Sequence, residues 1–272
     1  MFAININDYI MKFPLTTLFL FFFSVLLFTG CKDDDSDNVN DPTAENRKSL
    51  GTSAEDILSN DIYNSLTIEF VYANGFEPTE ETKIAITSFL NERATKPNGI
   101  IIKETVIETP TGAPFDIDEV KEIEENNRTA YTTDDDLAVY VFFSNGNSNK
   151  DTDKTVTLGT AYQNTSIVIY KKTLQDLIDN NQGSDLTTLE ITTLQHEFGH
   201  ILGLVNITDD DIHPENHEDL DNSRHCVVEN CLMYFQATNT ERREVARFLE
   251  GRGTVPQLDP LCIADLQAKG GK

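Results

Sequence analysis

The feature that most constrains this chain is a segment at residues 186–204 that contains His196, Glu197 and His200. An α-helix turns about 100° per residue, so histidines four residues apart lie on one face, about 6 Å apart along the axis. Apolar side chains spaced three and four residues apart occupy another face; they are Ile191, Leu194, Phe198, Ile201, Leu202 and Val205. We therefore predict a helix that packs on the core and carries two imidazoles and a carboxylate toward a cleft.

This spacing is typical of a metal site. Both imidazoles can reach one ion, and Glu197 lies beside them, where it can accept a proton from water. With Gly203 the match extends to His-Glu-x-x-His-x-x-Gly. An ordinary amphipathic surface helix could carry the same residues, but the helical context and the glycine favour the metal site. We predict His196 and His200 as ligands of one catalytic Zn²⁺ and Glu197 as general base.

A catalytic zinc needs three protein ligands and one open position. The chain has five histidines, so the third ligand must come from His213, His217 or His225. The nearest position at which a third histidine would be sought is 206, and Asn206 stands there. The acidic stretch 207–224 that follows predicts an inserted loop. His213, beside a proline, is typical of a loop residue.

Residues 225–234 (HCVVENCLMY) resemble the metzincin clan of zinc metallopeptidases, and their Cys-x4-Cys-x-Met run resembles archaemetzincins. In matrixins and archaemetzincins the third histidine lies eight residues before the methionine of a tight turn beneath the zinc, and His225 and Met233 keep that interval. The resemblance covers roughly residues 186–235. It implies a zinc endopeptidase with an α+β fold, in which Gly203 ends the helix. The implied site residues are His196, His200 and His225 as ligands, Glu197 as general base and Met233 in the Met-turn.

His217 stays open as the alternative third ligand, because His217-Glu218 resembles the acidic neighbour found in some metzincins. An insertion before the third histidine resembles the leishmanolysin-like arrangement, so Asn206 is compatible with the clan.

Three cysteines follow the helix: Cys226, Cys231 and Cys262. Archaemetzincins hold a second, structural zinc with Cys-x4-Cys and Cys-x-x-Cys, but here the later element ends in Asp265 instead of a cysteine. Since an exported protein meets oxidising conditions, we favour a disulfide of Cys226 with Cys231 or of either with Cys262. A second metal held by the three thiolates and Asp265, and free thiols, are the alternatives.

The N-terminus predicts export and lipid anchoring. An apolar run at residues 15–28 is too short to span a bilayer and is typical of a secretory signal. It ends at Gly30-Cys31, which resembles the lipobox of bacterial lipoproteins; a cleaved, non-lipidated signal is the alternative. We predict a signal peptide at 1–30, then lipidated Cys31 and a flexible acidic linker at 31–60. The implied location is the outer membrane, with the protein facing outward or into the periplasm.

Residues 61–205 alternate strand and helix patterns, which predicts an α+β fold with a mixed twisted sheet packed against helices. We place the active-site helix in this N-terminal subdomain and the third ligand and Met-turn in a small C-terminal subdomain, 206–272. The strand predicted at Val156–Tyr162 is our candidate for the edge that borders the cleft.

The net charge of −25 excludes nonspecific nucleic-acid binding, because phosphates would be repelled. We expect a monomer that hydrolyses polypeptides and contacts a membrane through Cys31. Two alternatives stay open: a catalytically decayed, metzincin-like surface binding protein, and a purely structural metal site. A second structural zinc or a calcium ion is a minor expectation.

Overall fold

The computed structural model describes residues 41–179, 185–213, 217–234, 239–241 and 254–272. The predicted signal peptide and Cys31 lie outside these residues. Residues 41–272 form one compact unit, and the boundary at 205/206 stays a prediction. Among the described helices, none combines the length and the apolar character needed to cross a bilayer.

A five-stranded sheet organises the unit, in the order β2-β1-β3-β6-β5. Its strands are β1 (Ser65–Ala73), β2 (Ile100–Ile107), β3 (Asp136–Phe143), β5 (Gly159–Gln163) and β6 (Ser166–Ile169). All neighbours run parallel except β5, which pairs antiparallel with β6. The predicted mixed sheet is confirmed.

Helices cover both faces of this sheet. They are α1 (Ala54–Leu58), α2 (Glu80–Arg93), α3 (Ile117–Asn127), α4 (Lys171–Asp179), α5 (Leu186–Ile201) and α6 (Pro260–Ala268). Side chains alternate between the faces along β3: Val139 and Val141 belong to the larger core with α5, whereas Tyr140 and Phe142 belong to a second core with α3. The larger core therefore holds α5 by its apolar face.

The strand predicted at Val156–Tyr162 is in fact two. β4 (Thr155–Thr157) pairs antiparallel with β7 (Asn239–Glu241), and β5 alone joins the main sheet. The prediction that this region supplies an edge strand holds for β5, which is the last strand of the sheet.

The predicted flexible linker is wrong for residues 41–60. A 3-10 helix (Ala44–Asn46) and α1 lie in this segment. Asn46 is fully buried, and its side chain donates to Ala138 O at 2.8 Å and Thr165 Oγ1 at 3.1 Å and accepts from Thr132 N at 2.8 Å. The polar composition that resembled a linker instead serves buried hydrogen bonds to the sheet.

Candidate metal centres

Helix α5 begins and ends as its sequence dictates. The carboxylate of Asp185 accepts hydrogen bonds from the N–H groups of Thr187 and Thr188, which satisfies donors at the first turn. After Ile201 the chain turns through Gly203, whose φ of 71° suits a residue without a Cβ. The helix thus ends two residues before Gly203 and presents His196, Glu197 and His200 from its last two turns.

His225 joins the two helix histidines. The rings of His196 and His200 lie 4.8 Å apart between centroids, and the ring of His225 lies 5.3 Å from each. One ligand nitrogen from each of the three lies within 4.8 Å of the others. The Nε2 atoms of His196 and His200 are 3.1 Å apart, close to the roughly 3.3 Å expected for two tetrahedral nitrogens about 2.0–2.1 Å from one zinc ion. The three histidines therefore fit a zinc ion.

Backbone carbonyls orient two of these rings. Nδ1 of His196 lies 2.8 Å from Leu232 O, and Nδ1 of His225 lies 3.1 Å from Ser223 O. A carbonyl only accepts hydrogen bonds, so each Nδ1 carries the proton and each Nε2 keeps its lone pair for a metal.

Burial keeps the imidazoles neutral, as metal ligands must be. It lowers the pKa of His196 to about 3, with His225 adding to the effect, and it lowers the pKa of His225. The pKa of His200 falls well below its usual value through burial and through its histidine neighbours.

The carboxylate of Glu197 is held by the edge strand. Its Oε2 accepts a 2.7 Å hydrogen bond from Ala161 N–H on β5. Burial raises the pKa of Glu197 to about 8, although this hydrogen bond acts in the opposite direction. A Cβ at Gly159 would lie 2.8 Å from Glu197 Cγ, so β5 approaches the helix closely because residue 159 has no side chain. An isolated glycine in a strand pattern is the sequence signal for such an approach.

The loop after α5 carries His225 back to the helix. Val205 and Asn206 adopt positive φ values of 58° and 59°, which is rare for a β-branched residue such as valine. Asn206 N–H donates to Asp211, and Asn206 Nδ2 lies 3.3 Å from Glu218. Asn206 therefore shapes the inserted loop.

Met233 supports α5 between the two helix histidines. Its side chain is fully buried, and a Cβ at Gly199 would lie 2.2 Å from Sδ of Met233. The segment predicted as a Met-turn thus packs on the one position of this helical turn that has no side chain.

A second cluster of buried donors lies in the C-terminal part. Nδ1 of His217 is 3.9 Å from Sγ of Cys226 and 3.7 Å from Sγ of Cys262, and Sγ of Cys231 is 3.7 Å from that of Cys262. Tetrahedral zinc with bonds of about 2.3 Å to sulfur places its sulfur ligands about 3.8 Å apart. Asp259 Oδ2 lies 3.4 Å from Cys226 Sγ. One ligand atom from each of His217, Cys226, Asp259 and Cys262 lies within 4.8 Å of the others.

Backbone N–H groups aim at these sulfurs. Met233 and Asp259 donate to Cys231 Sγ, both at 3.4 Å, and Val228 donates to Cys226 Sγ. Such donors favour thiolates: hydrogen bonds from Cys226 and Cys262, supported by these amides, lower the pKa of Cys231 to about 3. The same contacts raise the pKa of the Cys226 and Cys262 thiols. The spacing of the sulfur and nitrogen atoms is therefore what makes this cluster fit a metal ion.

Two predictions about this region need correction. The three cysteines are free, so the favoured disulfide is absent from this structure. Asp265 Oδ2 lies 2.8 Å from Nε2 of His217, so Asp265 orients the histidine. The fourth donor beside the three cysteines, which we expected to be Asp265, is therefore His217. His217 is accordingly not the third ligand of the first centre. The sequence did not indicate that His217 lies beside the cysteines, because His217 and Cys262 are 45 positions apart in the chain.

A cleft of about 210 Å³ opens beside the first centre. It is lined by Leu50, Lys150, Thr157, Gly159, Thr160, Ala161, Glu197, His200, Ile207, Ser223, Arg224 and His225. β5 forms one side, as expected for the edge strand, while the N-terminal segment and the inserted loop contribute side chains that the sequence did not indicate.

Comparison with known proteins leaves the family open. No family model matches the chain, and no curated protein matches it. Among solved structures it is similar to an archaemetzincin from Methanopyrus kandleri, with 15% identity over 76% of this chain and 96% of that chain and a TM-score of 0.47. A likeness of this size assigns neither a family nor a function.

Proposed function

We propose that this protein is a zinc endopeptidase that cleaves polypeptides with water. The observation that carries the proposal is the convergence of His196, His200 and His225 beside Glu197, at a cleft bordered by an edge strand. The His-Glu-x-x-His-x-x-Gly motif and the spacing from His225 to Met233 support it, because both resemble the metzincin pattern.

Zinc would be held by the three Nε2 atoms and would act as a Lewis acid, lowering the pKa of a coordinated water to about 7 and polarising a carbonyl. Three neutral imidazoles leave a fourth position free, which distinguishes a catalytic from a closed structural site.

Glu197 is suited to move the proton. Ala161 N–H fixes Oε2, so Oε1 is left to take a proton from the attacking water and to return it to the leaving amine. Burial raises the pKa of Glu197 above its usual value, and a zinc ion beside it would favour the carboxylate form that accepts the proton.

The edge strand offers a place for the substrate. β5 is the last strand of the sheet and forms one wall of the cleft through Gly159, Thr160 and Ala161. An extended polypeptide laid along β5 by β-augmentation would pass the three histidines. This geometry favours internal segments of a chain over free termini.

The second cluster is proposed to bind a structural zinc through His217, Cys226 and Cys262, with Asp259 or Cys231 as the fourth donor. Four protein donors close the site, so it would stabilise the fold without taking part in hydrolysis.

Anchoring at the outer membrane through Cys31 is also part of the proposal. It is supported by the apolar run before Cys31 and the acidic residues after it. Such an anchor would confine hydrolysis to polypeptides at the cell surface or in the periplasm.

Glu197→Ala provides the test. The variant should keep its zinc, measured by elemental analysis, and lose digestion of unfolded casein by at least about 100-fold. Glu197→Asp is the matched control, since it keeps a carboxylate but its shorter side chain places that carboxylate farther from Ala161 N–H. Activity of Glu197→Ala equal to that of wild type would remove the mechanism. Zinc-free, inactive wild type would instead favour a decayed site that serves binding.

A further inference from the structure

The charge of the cleft walls contrasts with that of the whole chain. The protein carries a net charge of −25, yet the charged side chains on the walls are Lys150 and Arg224, with Glu197 at the base. Both cations are exposed. Most other lysines of the described chain pair with carboxylates; they are Lys48, Lys83, Lys103, Lys121, Lys171, Lys172 and Lys269. Lys96 and Lys272 donate to backbone carbonyls instead, and neither they nor Lys154 line the cleft.

The two cations reach the cleft from separate segments. Lys150 lies in the loop between β3 and β4, and Arg224 directly precedes the ligand His225. Within the described residues neither forms an ion pair. Ordinary solvated surface cations would be scattered, whereas these two line one cavity.

The backbone at Arg224 is unusual. Its φ is 68°, a left-handed conformation that is uncommon for residues other than glycine. Its N–H lies 3.4 Å from Glu218 Oε1, which helps to hold this conformation. Arg224 lines the cleft together with His200 and His225, so its side chain lies at the histidine end of the cleft.

We propose that the cleft selects peptides with an aspartate or glutamate near the cleaved bond, and that Lys150 and Arg224 contact that carboxylate. This inference rests on the proposed peptidase function and names its substrate class. Because the Debye length is about 8 Å at physiological salt, carboxylates farther than that from the cleft are screened. Glu218, beside the Arg224 N–H, lies within this range and offsets part of the positive charge. Leu50 and Ile207 add apolar surface to the lining of the cleft.

The test measures binding to the zinc-loaded Glu197→Gln protein. Fluorescent hexapeptides are compared in pairs that differ only by glutamate or glutamine, at each of the six positions in turn. At low salt at least one glutamate peptide should bind about fivefold more tightly, and 1 M salt should abolish the preference. Arg224→Gln and Lys150→Gln should each reduce it, and Arg224→Lys should retain most of it.

Lys121→Gln is the matched control, because Lys121 lies on α3, pairs with Asp118 and does not line the cleft. It should leave the preference unchanged. A preference absent at all six positions, or one that survives both cleft substitutions, would overturn the proposal.

Cleavage by wild type separates the two proposals. Glu197-dependent cleavage without a glutamate preference in binding would refute the acidic selectivity alone. A glutamate preference in a protein that cleaves no peptide would refute the peptidase and leave a binding cleft for acidic peptides.

Discussion

Gly199 on α5 lies directly against Met233, so closely that a methyl group at position 199 would sit 2.2 Å from the methionine sulfur. Gly199 lies in sequence between Phe198 and His200, one of the three clustered histidines, and Met233 belongs to the segment that begins at His225. The contact therefore sets the position of the helix relative to the segment that brings the third histidine.

Gly199→Ala tests this contact. In a free helix the change would stabilise by about 1 kcal/mol, but here it should destabilise the protein by about 1–3 kcal/mol through overpacking and weaken zinc binding. Chemical denaturation and zinc titration measure both effects. The double variant Gly199→Ala/Met233→Ala should recover part of the loss, because the sulfur is gone. Strictly additive effects would show that the two residues do not meet.

The two metal centres should be separable by metal content. Wild type should hold two zinc ions per chain, Cys262→Ser one, and His225→Ala one. Because four protein donors would close the proposed second site, only Cys262→Ser should lower the unfolding temperature strongly. Elemental analysis and calorimetry make the comparison. A Cys231–Cys262 disulfide found by mass spectrometry of the alkylated protein would contradict the cluster.

Glu69 should make stability depend on pH. Its carboxylate is fully buried. Burial raises its pKa, but hydrogen bonds from Thr129, Thr105 and Ala130 outweigh that effect and lower the pKa below 4.5. The unfolded chain then binds more protons in acid, so this stabilisation is complete above about pH 4.5 and is lost as pH falls through the folded pKa.

Glu69→Gln should consequently cost about 2–3 kcal/mol at pH 7, and the difference from wild type should shrink below pH 4.5. Urea unfolding at several pH values gives the answer. Exposed Glu122→Gln on α3 is the control and should change little. If the difference in unfolding free energy between wild type and Glu69→Gln were the same at every pH, Glu69 would have the same pKa in the folded and the unfolded protein.

Asn46 should anchor the N-terminal segment to the sheet. Asn46→Ala leaves Thr132 N–H without its acceptor and removes one of the two side-chain donors to Ala138 O, which keeps Arg128. The loss should cost about 1–3 kcal/mol. Because Leu50 follows four residues later and lines the cleft, peptide affinity should fall as well. Exposed Asn126→Ala is the control. Unchanged resistance of the segment 41–50 to proteolysis would argue against an anchoring role.

The sequence by itself determined the helices and strands, because the spacing of apolar residues along a short segment predicts them. The apolar spacing and Asp185 specify α5, the alternating strand and helix patterns specify the mixed sheet, and the four-residue interval places His196 and His200 on one face. These features depend on residues only a few positions apart, so the helix and strand periods are enough to derive them.

Only the tertiary structure decided which distant residues meet. It brought His225 to the first centre and His217 to the cysteines, placed Ala161 N–H on Glu197, and folded residues 41–60 onto the sheet. Sequence spacing carries no information about such contacts, because they depend on how loops of many residues close. Packing and buried hydrogen bonds fix where the ends of such a loop lie. As a result His217 and His225, only eight residues apart, belong to different donor clusters.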